Sequence, residues 1–168
     1  MPNPIYIWYT GVTQGKMEGF GSWAGEDDQA GKEGSSLVLS LTHEVTSPRD
    51  QATGLASGRR IHLPLTITKR IDKASPKLYM ALTKNEQLSD VTVKWFRVVQ
   101  AGGGGQEHYF TTKLEGAVVS SIRQWFPIIS DPTKREYSHL EDVSFSYNKI
   151  TWTWEDGGIT HTDDWRAG

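Results

Sequence analysis

Residues 60–68 read RIHLPLTIT, a run in which apolar and polar side chains alternate. Ile61, Leu63, Leu65 and Ile67 share one phase of this run, and mostly polar residues occupy the other. A period of two is typical of a β-strand that buries one face. The proline inside the run has no backbone N–H for a sheet. We therefore expect this strand at a sheet edge, or with the proline nitrogen facing outward.

The same alternation recurs in four further segments of the chain. Their apolar positions are Ile5, Ile7 and Tyr9; Leu37, Leu39 and Leu41; Val91, Val93 and Trp95; and Phe110, Leu114, Val118 and Ile122. The last segment also has a polar face, made of Tyr109, Thr111, Lys113, Glu115 and, further along, Ser121. That face is too polar for a core, so we expect it to contact water. Alternation in so many segments predicts a mainly β fold.

The apolar phase changes between residues 143 and 154. The apolar positions are first odd-numbered and then even-numbered: Val143, Phe145 and Tyr147, followed by Ile150, Trp152 and Trp154. One regular strand cannot keep both sets on the same face, because side chains alternate between faces. Three arrangements are compatible with this pattern: a β-bulge near Asn148 and Lys149, two separate strands, or a strand covered on both faces.

One helix is expected among the strands. Ser75 is a good N-cap residue, and Pro76 suits the first helical position. Leu78 and Leu82 lie four residues apart and form a narrow apolar stripe, and Asn85 is a good C-terminal cap. Loops are expected at 19–36, 46–58 and 102–105, and no composition break divides the chain. We therefore predict a single domain over residues 1–168.

The composition excludes several functional classes. The chain has no cysteine, so it has no disulfide, zinc–thiolate site or thiol nucleophile. Its formal net charge is -2 and it has no basic block, so we expect no nucleic-acid partner. No apolar run approaches the roughly 20 residues that span a bilayer, so we expect no membrane insertion. The first residues lack the pattern of a cleaved signal peptide.

The sequence shows no arrangement of catalytic or metal-binding residues. The five histidines lack the spacing with which one element places two imidazoles on a metal: His43, His62, His108, His139 and His161. Ser120 and Ser121 do not lie in a nucleophile elbow, and the acidic run Glu26-Asp27-Asp28 lies in a glycine-rich loop. We expect no cofactor and no enzymatic activity.

Two further histidine–carboxylate combinations are better explained without a site. His139 and Asp142 lie three residues apart and are expected at a strand entrance. His161 lies near Asp163 and Asp164, where a solvated tail is expected.

Several segments, read in order, resemble the haemolysin-coregulated protein (Hcp) family of type VI secretion. The segments are 5–8 (IYIW); 58–62 (GRRIH) with 68–72 (TKRID) and 75–79 (SPKLY); 93–96 (VKWF) with 109–115 (YFTTKLE); and 139–141 (HLE) with 149–154 (KITWTW) and 156–157 (DG). Together they cover nearly the whole chain. The sequence departs from the family pattern in loops 20–34 and 102–105, which leaves the contacts of those loops open.

The resemblance implies a fold and an assembly. The expected fold is a compact β-barrel of two antiparallel sheets with one α-helix packed on its side. The expected assembly is a homohexameric ring that stacks into the inner tube and carries small effector proteins in its lumen. The tube's other partners are the type VI sheath and spike proteins. The protein is expected to be made in the bacterial cytoplasm and secreted, without a cleaved signal peptide, to the medium or a target cell.

Two sets of residues are assigned to this assembly. The loop at 46–58 is expected to contact the next ring through Ser47, Pro48, Arg49, Asp50, Gln51, Thr53 and Gly54. The polar face of Tyr109, Thr111, Lys113, Glu115 and Ser121 is expected to line the lumen or, alternatively, the outer wall.

Clustered tryptophans leave a second function open. Trp152, Trp154 and Trp165 would suit the platform of a carbohydrate- or ligand-binding β-barrel, although they equally suit a core or an interface.

Overall fold

The computed structural model describes residues 3–23, 31–99, 105–134 and 137–166. The acidic run at 26–28 and three residues of the glycine run, Gly102, Gly103 and Gly104, lie outside these residues. The described part contains twelve strands and one α-helix: β1 Ile5–Gly11, β2 Gly15–Lys16, β3 Ser36–Thr42, β4 Val45–Thr46, β5 Ile61–His62, β6 Leu65–Arg70, α1 Ser75–Thr83, β7 Leu88–Val98, β8 Gln106–Glu115, β9 Val118–Trp125, β10 Leu140–Ser146, β11 Lys149–Trp154 and β12 Ile159–Asp164.

The strands form an antiparallel barrel with an extension. The order in the large sheet is β12-β11-β8-β7-β1-β3-β6-β10-β9, and β2 pairs with β1. Six strands, from β7 through β1, β3, β6 and β10 to β9, close into the barrel. The closing contact is a bridge between Leu88 and Ala117, in which the Leu88 N–H donates to the Ala117 carbonyl over 2.8 Å. Strands β8, β11 and β12 continue the sheet beyond the barrel, and β4 and β5 form a second, small sheet. The predicted mainly β barrel with one helix is confirmed.

Inward-facing side chains of the barrel strands form one apolar core. The fully buried members include Ile7 on β1, Ile67 on β6, Val93 on β7, and Val143 and Phe145 on β10. These positions belong to the alternating runs of the sequence, so the period of two correctly identifies the buried face of β1, β6, β7 and β10. On β3 the predicted face is wrong, because Val38 is buried and Leu39 is exposed. The helix packs against β9 and buries Leu78 and Ala81.

The run at 60–68 is divided at its proline. β5 ends at His62 and β6 begins at Leu65, so Pro64 lies between two strands. The expected edge position is wrong, because β6 pairs with β3 on one side and β10 on the other. Pro64 lies just outside that ladder and needs no N–H there.

The phase change near residue 148 comes from two separate strands. β10 ends at Ser146 and β11 begins at Lys149, with the Asn148 N–H donating to the Glu115 carbonyl across the junction. The register irregularity lies earlier, between Ser144 and Phe145. Just before β9, the strand that pairs with β10 here, the chain turns at Gly116, whose φ of 62° is left-handed. Val119 is therefore buried, whereas the sequence pattern assigned that face to Val118.

Ser75 does not cap the helix as predicted. The N-cap position is Ala74, and no side chain caps it. The Ser75 hydroxyl instead accepts the Asp72 N–H and donates to Glu141 Oε1 over 2.6 Å. The Ser75 hydroxyl therefore bonds the buried Glu141 carboxylate instead of capping the helix as the sequence pattern predicts. The C-terminal prediction is correct, because Asn85 has a left-handed φ of 52° just after the helix.

Candidate assembly surfaces

The loop at 46–58 is an ordered hairpin that projects from the barrel. Strands β4 and β5 pair at its base, in a register of Val45 with His62 and Thr46 with Ile61. Further out, Arg49 forms a bridge with Ala56, and the Ser57 N–H donates to the Pro48 carbonyl. We call residues 45–62 the arm. All residues from 49 to 59 are exposed, so nothing in the same subunit covers the outer arm.

The tip of the arm is fixed by backbone hydrogen bonds around one aspartate. The Asp50 N–H donates to the Leu55 carbonyl over 2.8 Å, and the Gly54 N–H donates to the Asp50 carbonyl over 2.7 Å. The Asp50 carboxylate also accepts the Ala52 N–H. Gly54 has a φ of 72°, which suits its place in this turn. Leu55 beside it is 68% exposed, a large apolar side chain at the tip of a mostly polar loop.

The predicted stacking residues all lie on this one hairpin: Ser47, Pro48, Arg49, Asp50, Gln51, Thr53 and Gly54. They stand at its edges and tip, and Pro48 alone among them is half-buried.

Ion pairs join the base of the arm to β12. Arg60 holds Asp163 with two hydrogen bonds, from Nε over 2.6 Å and from an Nη over 2.7 Å. His62 Nε2 lies 2.7 Å from the same carboxylate. Hydrogen bonds from Arg60, and then those from His62, lower the pKa of Asp163. Asp163 therefore stays ionised and holds two arm residues at once.

A buried hydrogen-bond chain continues inward from this carboxylate. The Tyr147 hydroxyl lies 2.8 Å from His62 Nδ1 and 2.6 Å from His43 Nε2. The indole of Trp165 stacks on His62, and its Nε1–H donates to the Tyr147 carbonyl over 2.5 Å. Burial, and then the neighbouring His62, hold the pKa of His43 below its usual value. Burial, with Asp163 nearby, raises the pKa of Tyr147 far above the usual value for a phenol.

Sequence reasoning missed this cluster. His62 and Asp163 are 101 positions apart, and His43 and Tyr147 are 104 apart, so no local spacing indicates their contact. The solvated tail expected around Asp163 is wrong, because β12 pairs with β11 and carries Asp163 to the arm. Asp142 accepts hydrogen bonds from Thr68 and Trp125, whereas the His139 ring packs against Phe126.

Strands β8, β11 and β12 carry a continuous polar face. Thr111 pairs in register with Thr153, Lys113 with Thr151, and Glu115 with Lys149. On β12, the Thr162 hydroxyl lies 2.9 Å from that of Thr151, and the Thr160 hydroxyl lies 3.2 Å from that of Thr153. We call this the threonine face, and its members are Thr111, Lys113, Glu115, Lys149, Thr151, Thr153, Thr160 and Thr162. None of them is fully buried, so the face contacts water in the isolated subunit.

Two of the five predicted lumen residues lie apart from this face. Phe110 pairs with Trp95 and His108 with Phe96, so Tyr109 is the extra residue of a bulge. Its ring contacts Trp154 and the Arg97 guanidinium. Ser121 lies on β9, in the barrel wall, opposite Ser144.

The three tryptophans do not form one platform. Trp152 stacks on His161, with parallel rings and centroids 6.0 Å apart. Trp154 contacts Tyr109 and Arg97, and Trp165 covers His62. Each ring therefore already has a partner in its own surroundings.

Two kinds of feature are absent from the described residues. None of the helices there has the length and apolarity to cross a membrane. Among those same residues, no group of three or more His, Asp or Glu side chains is placed to hold a metal ion.

Comparison with known proteins relates this geometry to one family. The family model described as "Type VI secretion system effector, Hcp" matches residues 6–154. A Pseudomonas aeruginosa PAO1 protein described as "Major exported protein" is 43% identical over 171 residues, covering 99% of this chain and 98% of the relative.

Solved structures agree in fold and extent. A crystal structure described as an Hcp protein has a TM-score of 0.89 and 38% identity, covering 99% of this chain and 100% of its own. The Hcp1 protein of Escherichia coli EAEC 042, as a double mutant, has a TM-score of 0.79 and 36% identity, covering 96% and 98%. Secreted protein Hcp3 of Pseudomonas aeruginosa has a TM-score of 0.77 and 39% identity, covering 98% and 99%.

Proposed function

Because this chain belongs to the Hcp family of type VI secretion proteins, we propose that it is a structural subunit of the secretion tube. Six copies form a ring, and rings stack head to tail into a tube whose lumen carries small effector proteins. The observation that carries this proposal is the arm: an ordered, fully projecting hairpin with an exposed leucine at its tip. In a single subunit the outer arm stays exposed to solvent, whereas a heterologous contact with a second copy would bury it.

The ring seam is assigned to the free edge of the sheet. β12 is the last strand of the path and, within the part of the chain that the structure describes, pairs with β11 alone. An unpaired edge presents backbone N–H and C=O groups to a neighbouring chain. β9, at the other end of the path, contacts the helix and follows the Leu88–Ala117 bridge that closes the barrel. β12 is therefore the edge more available to a second copy, and ring closure would protect it.

The arm provides the contact between rings. Deleting residues 51–56 removes the tip and Leu55 but leaves the paired base and its link to Asp163 intact. We expect this variant to form rings of unchanged mass in analytical ultracentrifugation and to lose stacked tubes in negative-stain electron microscopy.

A matched control replaces the same six residues with a Gly/Ser linker of equal length. It keeps the chain length but not the tip, and should also fail to stack. Normal tubes from either variant would show that the arm does not make the stacking contact.

The threonine face is the proposed lumen lining. The face carries threonine hydroxyls and two exposed ion pairs, Lys113–Glu115 and Lys149–Glu115. Such a polar surface suits the wall of a water-filled channel better than a contact between proteins. In Lys113→Cys rings, a small maleimide should label the thiol much faster than a 5-kDa polymer maleimide.

The control for this experiment is Thr133→Cys, in the exposed turn between β9 and β10. It should react equally with both reagents. Equal reactivity at position 113 would place the threonine face on the outer wall.

The remaining roles follow from this assembly. The tube subunit contacts the sheath and spike proteins and leaves the cell with its cargo, in line with the exported relative. Its role is structural rather than enzymatic. The alternative, a carbohydrate-binding barrel, is less well supported because Trp152, Trp154 and Trp165 are each occupied by other side chains. Affinity of the monomer for a sugar in calorimetry, without ring formation, would favour that alternative.

A further inference from the structure

The base of the arm is held by a short chain of titratable groups. In sequence of contact they are Asp163, His62, Tyr147 and His43. The side chain of His62 is only 1% exposed, while that of Asp163 is 20% exposed. His43 precedes β4 and His62 lies in β5, so the two imidazoles stand at the two strands that enter and leave the arm.

When both histidines are neutral, the donor and the acceptor of each hydrogen bond in this cluster are fixed. His62 Nε2–H donates to the Asp163 carboxylate, which leaves Nδ1 as an acceptor for the Tyr147 O–H. The Tyr147 oxygen then accepts the His43 Nε2–H. Each of the three hydrogen bonds then has one donor and one acceptor.

One added proton is tolerated, but a second is not. With His62 charged, its Nδ1–H donates to Tyr147, whose O–H turns to an unprotonated Nε2 of His43. Asp163 balances that charge. With both imidazoles charged, each donates to the Tyr147 oxygen, and the Tyr147 O–H has no acceptor. Two cations then face a single hydroxyl inside the protein, which is unfavourable both for charge and for hydrogen bonding.

The surrounding charges do not relieve this state. Asp163 already holds Arg60 as well as His62, and Arg60 also donates to the Asp164 carbonyl. Arg59 donates to the Trp165 carbonyl, and Arg166 lines the adjacent cleft. On the far side, His43 contacts the Trp152 ring, which also stacks on His161. More cations than anions thus surround the chain. The cleft of about 420 Å³ beside His62, Tyr147 and Trp165 gives protons a path inward.

We propose that His43, Tyr147, His62 and Asp163 form an acid-sensitive latch that holds the arm in position and releases it when both imidazoles are protonated. Loss of the latch leaves the contacts of Arg59 and Arg60 to hold the arm base, less firmly than before, and leaves the barrel folded. This inference rests on the proposed function in one respect, since release of the arm would also end ring stacking. The lowered pKa of His43, caused by burial and then by the neighbouring His62, agrees with it.

Hydrogen–deuterium exchange of the full-length protein tests the latch without relying on stacking. We expect amides of the arm base, among them Leu63, whose N–H bonds the Glu44 carbonyl, to exchange about tenfold faster at pH 5.0 than at pH 7.5, after correction for intrinsic rates. Barrel amides such as those of Ile67 and Val143 should keep their protection.

His43→Gln is the decisive variant. The glutamine amide can donate to the Tyr147 oxygen and does not titrate, so its arm should stay protected at pH 5.0. His139→Gln is the matched control, because His139 is exposed and lies at the opposite end of β10. It should keep the wild-type response. The latch is overturned if arm exchange does not change with pH, if the barrel opens together with the arm, or if His43→Gln opens like wild type.

Electron microscopy distinguishes a failure of the latch proposal from a failure of the proposed stacking function. Wild-type tubes at pH 7.5 that disappear at pH 5.0, and persist there in His43→Gln, support both. Arm opening in a protein that forms no tubes at any pH supports the latch and contradicts the stacking role. Tubes that persist at pH 5.0 with a protected arm support stacking and overturn the latch.

Discussion

Lys69 Nζ lies 2.5 Å from Glu141 Oε1, and neither side chain reaches solvent. The ion pair joins β6 to β10 inside the barrel. Lys69 also bonds Asp72 Oδ1 over 2.8 Å, just before the helix, and Ser75 donates to Glu141. The pair therefore fixes the start of the helix to two barrel strands, with one ammonium shared between two carboxylates.

Removing the cation should leave the carboxylates of Asp72 and Glu141 buried without an opposite charge. We expect Lys69→Met to lower the free energy of unfolding by about 3–5 kcal/mol. Urea unfolding followed by tryptophan fluorescence, at fixed protein concentration, measures this loss. The control is Lys113→Met, which breaks the exposed Lys113–Glu115 pair of 3.9 Å and should cost less than about 1 kcal/mol. Similar losses in both variants would mean that the buried pair has no special role.

Gly116 turns the chain from β8 into β9. A Cβ at this position would lie 2.5 Å from Asn148 Nδ2 and 2.9 Å from its Cγ. Gly158 has nearly the same φ, 64° against 62°, but open space around it. Both Gly→Ala variants should suffer the strain of a left-handed alanine, about 1–2 kcal/mol. Gly116→Ala should lose about 1–3 kcal/mol more because Asn148 must move. Thermal unfolding compares the two, and equal losses would contradict the close contact.

Asp163 should contribute to the acid dependence of stability. Arg60 and His62 hold its folded pKa below the unfolded value, so its contribution is present above the unfolded pKa near 3.8 and is lost as pH falls through the folded one. Asp163→Asn should therefore be less stable at pH 6 and show a flatter loss of stability from pH 5 to 2. Urea titrations at each pH measure this, with Asp156→Asn as the exposed control. A parallel acid profile in Asp163→Asn and wild type would refute this contribution.

Three tyrosines should contribute to stability at neutral pH and lose that contribution as pH rises, whereas Asp163 loses its contribution as pH falls. Burial raises the pKa of Tyr9, Tyr79 and Tyr147 above the usual value of 10.0. Because their folded pKa values exceed the unfolded ones, their contribution is complete below pH 10 and declines as pH rises through the folded values. Ultraviolet titration should show that these three tyrosines ionise late, together with alkaline unfolding. Their ionisation near pH 10 in the folded protein would contradict this.

Local pattern predicts the elements of this fold far better than it predicts the candidate site. Alternation identifies the buried face of β1, β6 and β7, because the period of a strand is fixed by its geometry. It does not predict the chain's turn at Gly116, where one glycine changes which valine points inward. The arm could be located as a loop from its polar composition. Its base could not, because Asp163 and His62 meet only through the pairing of β12 with β11.

The distance in sequence between the arm and its anchors sets an order of events during synthesis. Arg60 and Asp163 are 103 positions apart, and Tyr147 and Trp165 also follow the arm by many residues. A growing chain exposes the arm on the ribosome long before the residues that fix it are made. Domains fold as units and non-local contacts form late. An incomplete subunit therefore carries an arm without a fixed direction, and only a finished chain can present it in the position that we assign to ring stacking.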